Sequence, residues 1–180
     1  MITQVILVEF DRFLEKRGLK AKLLIVGGTV LQLMGLRTIA TRDVDAISQV
    51  DDALRIAIRD FAAAHGLPND WINDRARLTL LDYLKHGYGV DDVSPVFSGK
   101  ALTLVRPSRE NLVLSKLCAL VDRGSPQDLA DLQALVTGEI SREVFAELIR
   151  YFLRREAATG GDCERAEKAL AVISSLLFGP

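Results

Sequence analysis

The run KLLIV at 22–26 stops against Gly27 and Gly28, and the chain resumes with Val30, Leu31, Leu33 and Met34 as the apolar face of a helix. That order leaves few folds open. A short apolar run bounded by glycine predicts a buried strand, and a glycine pair lets the backbone turn tightly into a helix starting near Gly28 and ending about Gly35. DVDAIS at 43–48 then alternates polar and apolar residues, as a half-buried strand does. Strand, tight turn, helix and second strand in so short a stretch demand a mixed α and β core.

The flanking segments extend this core. Residues 2–17 predict an amphipathic helix, with Ile6, Phe10, Phe13 and Leu14 on one stripe and Gly18 as its stop. Residues 51–65 predict another, with Leu54, Ile58 and Phe61 inward; 66–74 is loop-like around Pro68 and Asn69. Residues 75–92 fit helix or bent strand equally. Residues 93–108 predict two strands around a Ser98-Gly99 turn. Beyond Pro107 the pattern is helical only: 109–122 capped by Ser108, 126–136 opened by Ser125-Pro126, then about 141–156 and 162–176. The expected fold class is α+β. A small mixed sheet with flanking helices fills residues 1–107, and a helical C-terminal region, 108–180, packs on it.

Composition narrows the function classes. The chain has 180 residues, enough for a hydrophobic core without disulfides. With 23 basic and 24 acidic residues there is no global pull toward nucleic acid or membrane, so any anion-binding surface is local. Cys118 sits in an apolar helix as an inert thiol, and with Cys163 it makes no zinc-site spacing. No secretion signal opens the chain and no apolar run spans a bilayer. The expectation is a soluble, cytoplasmic protein.

The chemistry gathers between Gly27 and Asp45. A glycine turn into a helix brings backbone N–H groups close to an anion, with the Thr29 hydroxyl beside them. Asp43 and Asp45 are two apart on the expected strand, so both face one way with Cα atoms roughly 6–7 Å apart. Such paired hard oxygen ligands suit Mg2+ or Mn2+. Taken singly, each feature has a structural explanation: a tight turn, and a solvated strand face balanced by Arg37 and Arg42. Their order favours a metal-dependent phosphoryl or nucleotidyl transfer site.

The segment VGGTVLQLMGLRTIATRDVDAIS, 26–48, resembles the signature of the DNA polymerase β-like nucleotidyltransferase superfamily. More closely it resembles the AbiEii-type and related small bacterial nucleotidyltransferases, some of which are toxins in toxin–antitoxin or phage-defence systems. DWIND at 70–74 and SRENLVLSKLCALVDRGSPQDLADLQAL at 108–135 look like later motifs of that family, so the resemblance covers roughly residues 22–136. It implies that a nucleoside triphosphate binds at Gly27, Gly28 and Thr29. Asp43 and Asp45 would hold the metal, Arg42 and Lys116 would neutralise phosphate, and Asp128 would act beside the site. The acceptor would be RNA, including transfer RNA, or a protein, with a cognate antitoxin as partner and no membrane. The alternative is a catalytically weak or inactive member that binds nucleotide or protein.

Residue spacing gives Lys116 and Asp128 a second reading. Lys116 and Arg123 project from one side of their helix, and Asp128 and Asp131 share a face of the next, so four charges can lock a helical hairpin. The resemblance also implies a third carboxylate on a later strand. The expected strand there, KALTLV at 100–105, carries none, and Asp91, Asp92 and Glu110 are not placed by pattern. Either two carboxylates suffice, Asp128 completes the site, or the protein binds nucleotide without turnover. Trp71, Asn73 and Asp74 suit a base or acceptor pocket, or equally a core tryptophan beside a turn. Arg59 and His65 have the loose spacing of HEPN ribonucleases, though His65 also fits a helix C-terminus. Arg37, Arg42, Arg75 and Arg77 would make a local basic patch.

Overall fold

A computed structural model of the protein describes residues 2–39, 41–84 and 93–179. His86, Tyr88, Asp91 and Asp92 lie outside the described residues, as does most of the second half of the ambiguous 75–92 segment. The described elements run α1 (Gln4–Lys16), β1 (Ala21–Val26), α2 (Gly27–Leu33), β2 (Val44–Ala46), α3 (Asp52–His65), β3 (Ile72–Asn73), α4 (Arg77–Leu81), β4 (Ser94–Ser98), β5 (Leu102–Arg106), α5 (Arg109–Arg123), α6 (Pro126–Val136), α7 (Arg142–Thr159) and α8 (Cys163–Phe178). The α+β class read from the pattern is the class observed. The described residues form two compact units, 2–78 with 93–108, and 79–84 with 109–179.

The first unit is a mixed five-stranded sheet in the order β3-β2-β1-β5-β4. The central strand β1 runs parallel to β5 and antiparallel to β2, while β2 runs parallel to β3. Central position explains the near-continuous burial from Leu23 to Val26. At the far edge β4 carries Pro95, and its register with β5 shifts between Pro95 and Phe97, which an edge strand tolerates. The helices α1 and α3 touch each other, and the aromatic rings of Phe10, Phe61 and Trp71 pack with centroids 5.0 to 5.7 Å apart. Trp71 is wholly buried there, so of its two readings the core one holds.

One charged residue in this core has a structural task that the helical pattern conceals. Asp11 lies on the buried face of α1 and accepts hydrogen bonds from the backbone N–H groups of Lys100, Ala101 and Leu102 at 3.2, 2.8 and 2.7 Å. It thereby satisfies the turn between β4 and β5. A side chain at Gly99 would collide with this carboxylate. Burial alone would raise the Asp11 carboxyl, but the three N–H donors outweigh it and hold it below its ordinary value.

Two expectations need correction. The strand expected at 43–48 is only Val44–Ala46: Ile47 still donates to the Leu24 carbonyl opposite it, but Ser48 turns its N–H to the same carbonyl and the register ends there; Asp43 stands just before the strand. The loop expected at 66–74 contains β3. Two residues amid Pro, Asn and Asp carry no strand periodicity, and their pairing with β2 is purely tertiary. Consequently the strand beside Asp45 is β3, whereas β5 lies on the other side of β1.

The second unit is helical, with α5 in contact with α6, α7 and α8. Ser125, Ser141 and Asp162 cap α6, α7 and α8 by accepting from Gln127, Val144 and Arg165 N–H groups. Leu112, Leu117, Leu132, Phe145, Phe152 and Leu170 are buried within it. Residues 79–84 join through Tyr83, which donates to Glu156 at 2.8 Å, and through Leu84, whose carbonyl accepts from the Tyr151 hydroxyl at 3.0 Å. Among the described residues no helix is long and apolar enough to cross a membrane.

Candidate active site at the glycine turn

The antiparallel pairing of β1 with β2 sets Val26 opposite Asp45. The next residue, Gly27, therefore turns the chain beside the Asp45 side chain. Gly27 adopts φ +77°, and a Cβ built there would stand 2.6 Å from the Asp45 carboxylate oxygen Oδ2. Both backbone conformation and space thus require glycine. Gly28 is confined differently: a Cβ there would meet the Thr41 methyl and the Arg37 guanidinium. Gly27 thus lies against Asp45, and Gly28 against Thr41 and Arg37. Asp43 and Asp45 are both partly exposed, and Arg42 beside them is exposed.

The Thr29 hydroxyl faces inward. It lies 2.7 Å from the Asp43 carbonyl and 2.7 Å from the Thr41 hydroxyl, and Thr41 is itself 3.1 Å from that carbonyl. Thr29 and Thr41 are 2% and 8% exposed, so this triangle fixes the backbone at Asp43 from within. What Thr29 supplies in this geometry is the placement of Asp43. Thr41 has no sequence signal of its own beyond its place in the basic, threonine-bearing segment.

Asn73, on β3, is the residue in register with Asp45. Its Nδ2 donates to Asp45 Oδ1 at 3.4 Å, and its Oδ1 accepts from the Arg75 backbone N–H and Nε at 3.2 and 3.3 Å. The sequence offered Asn73 only as a pocket or turn residue; its link to Asp45 depends on the unpredicted strand. Asp74, next in the chain, accepts from the Val50 N–H and from Arg55, which together hold its carboxyl below the ordinary value against the opposing effect of burial. A groove of about 590 Å3 runs along α3 and β3, past Arg55, Arg59, Asn73 and Arg75. Arg55 pairs with Asp74 at 2.8 Å and Arg75 with Asp70 at 3.1 Å. Of the expected basic patch, Arg75 lines this groove while Arg37 packs at the glycine turn. His65 stacks on Phe61 at the C-terminal end of α3, with Nδ1 2.8 Å from the Phe61 carbonyl, a helix-end role.

Lys116 and Asp128 lie in the second unit. Lys116 is 5% exposed and donates to Asp128 at 3.0 Å and Asp131 at 2.6 Å. Asp128 also accepts from Arg123 Nε at 2.7 Å and Nη2 at 3.0 Å, and Asp131 from Gln127 at 3.0 Å. These bonds lock α5 to α6, the hairpin reading of the spacing. Burial would raise the Asp128 carboxyl, but the bonds from Arg123 and Lys116 reverse that and hold it low.

Among the described residues no three or more His, Cys, Asp or Glu side chains form a metal-holding group. The oxygen donors of Asp43 and Asp45 match the chemistry of Mg2+, which takes one or two carboxylates and completes its shell with water and substrate phosphate. The bare Gly27 backbone admits the Asp45 carboxylate against the turn, where Oδ2 takes the place of a side chain at residue 27. The chain matches the family model described as a nucleotidyltransferase of unknown function, DUF6036, over residues 5–159. No curated protein and no solved structure matches it.

Proposed function

This chain belongs to the DUF6036 nucleotidyltransferase family, and from that premise we propose that it transfers a nucleoside monophosphate from a nucleoside triphosphate to an RNA or protein hydroxyl, using Mg2+ or Mn2+ held by Asp43 and Asp45. The observation that carries the reading is the meeting of the glycine turn with Asp45, enforced by the register of β1 and β2 and by the close approach of the carboxylate to Gly27. A bound divalent ion would neutralise the triphosphate and favour departure of pyrophosphate. Asp43 and Asp45 orient that region, and the backbone at Gly27 and Gly28 approaches the phosphates closely. The acceptor oxygen bonds to the α-phosphorus, the α–β phosphoanhydride bond breaks, pyrophosphate leaves, and the hydroxyl proton passes to a carboxylate of the pair.

In this proposal Arg42 faces phosphate from the exposed side, Thr29 places Asp43, and Lys116 with Asp128 maintains the helical unit. The likeness of residues 26–48 to AbiEii-type and polymerase β-like enzymes favours a toxin–antitoxin or phage-defence setting, with transfer RNA among the acceptors and a cognate antitoxin as partner. The test is transfer of α-labelled nucleotide to RNA and protein fractions, together with Mn2+ binding. Asp45→Ala should abolish both while the unfolding midpoint stays unchanged; undiminished transfer by that variant rejects the assignment. A second reading has its own support. The strand beside Asp45 carries the amide of Asn73 where a carboxylate would strengthen metal binding, which favours a nucleotide-binding module with weak turnover. Nucleotide binding without transfer to any acceptor fraction would select that module.

A further inference from the structure

Asp45 has a neighbour that constrains it from the side opposite the glycine turn. In the parallel pair β2–β3, Asp45 and Asn73 are register partners, so their side chains stand side by side on one sheet face. Asn73 is 5% exposed, and both ends of its amide are engaged. A carboxylate accepts only and a guanidinium donates only. The amide therefore has one orientation: its NH2 toward Asp45 and its carbonyl oxygen toward Arg75, as the bonds at 3.4, 3.2 and 3.3 Å record.

We propose that Asn73 is the positioning residue for Asp45, oriented by Arg75, and that its neutrality limits the site to the two charges of Asp43 and Asp45. This deepens the proposed function and rests on its reading of the two aspartates as the metal-holding pair. The amide NH2 engages Oδ1 of Asp45, while Oδ2 is the oxygen packed against the Gly27 backbone. Oδ1 is thus held by the amide and Oδ2 by its packing on the turn. Arg75 is 68% exposed at its side chain, yet its Nε bond to Asn73 ties the exposed guanidinium to a buried amide. A carboxylate in place of Asn73 would keep the acceptor for Arg75, lose the donor to Asp45 and add a third negative charge.

The experiment titrates the full-length protein with Mn2+ alone, reading free Mn2+ by electron paramagnetic resonance, for the parent, Asn73→Ala, Asn73→Asp, Arg75→Ala and Asp45→Ala. Loss of an outer partner of a ligating carboxylate costs roughly 10–100-fold in metal affinity or activity. Asn73→Ala should bind Mn2+ about 10-fold more weakly, and wherever transfer is measured kcat should fall with little change in nucleotide KM. Arg75→Ala should weaken Mn2+ binding by a smaller factor, and Asn73→Asp should tighten it through the added carboxylate. If Asn73→Ala binds like the parent while Asp45→Ala does not, the positioning role is overturned and the metal pair stands. If Asp45→Ala itself binds like the parent, the underlying reading fails. Should Asn73→Ala not fold, the isosteric Asn73→Asp and the surface variant Arg75→Ala decide, and parental affinity in both overturns the proposal.

Discussion

The glycine turn of the first unit and the α5–α6 hairpin of the second both set basic residues beside two aspartates, but they use the charges differently. In the hairpin, Lys116, Arg123, Asp128 and Asp131 satisfy one another, and Lys116, Asp128 and Asp131 are at least 95% buried. At the turn, the buried hydroxyls of Thr29 and Thr41 hold only the backbone of Asp43, and the carboxylates of Asp43 and Asp45 stay partly exposed. The hairpin is a buried, closed cluster; the turn keeps its carboxylates within reach of solvent. Composition and spacing alone do not separate the two.

Substitutions should break the two regions in different observables. The largest effect is expected from Asp45→Ala, with transfer falling on the order of 1,000-fold, as for loss of a major electrostatic group in an active site, while thermal unfolding is unchanged. Lys116→Ala should do the reverse. It removes the buried cation shared by Asp128 and Asp131, leaving them to Arg123 and Gln127, and should cost about 3 kcal/mol in denaturant unfolding, with Mn2+ affinity at the turn unaltered in molecules still folded. If Lys116→Ala instead lost transfer at full stability, the contrast between the regions would collapse.

Smaller effects sharpen the comparison. Asp11→Ala removes the charged acceptor of three backbone N–H groups and should cost about 3 kcal/mol, read by urea unfolding. Acid should weaken both units. The carboxyls of Asp11, Asp74 and Asp128 all lie below their ordinary value of 3.8 in the folded chain. Their contribution is complete above that unfolded-chain value and is lost as pH falls through the lower folded ones. Unfolding free energy should therefore drop below about pH 4, and Asp11→Asn should flatten part of that drop. The smallest change is expected for Thr29→Val: about 1 kcal/mol from the lost bond to the Asp43 carbonyl, with a measurable loss of Mn2+ affinity if the triangle places Asp43.

Much of the site was legible because its parts are local. Gly27, Gly28 and the aspartates lie on consecutive elements, and the apolar run at β1 makes their order unmistakable. Asn73 was legible only as a polar loop residue, because β3 is two residues long and exists only through its partner strand. Asp11 looked like one polar position in an amphipathic helix; its three acceptor bonds go to residues some ninety positions away. The strand at 43–48 was overdrawn because alternation does not register that Ser48 doubles back on the carbonyl that Ile47 already uses.

By itself the sequence determined the helices other than α4, β1, the β4–β5 hairpin and the glycine-to-aspartate order, since helical stripes, caps and turns act over a few residues. Only the tertiary structure decided which strand flanks Asp45, which charges are buried and satisfied, and which carboxylates stay partly exposed. Those outcomes follow from strand register and burial, which bring together residues far apart in the chain and change the free energy of a charge by more than any local preference does.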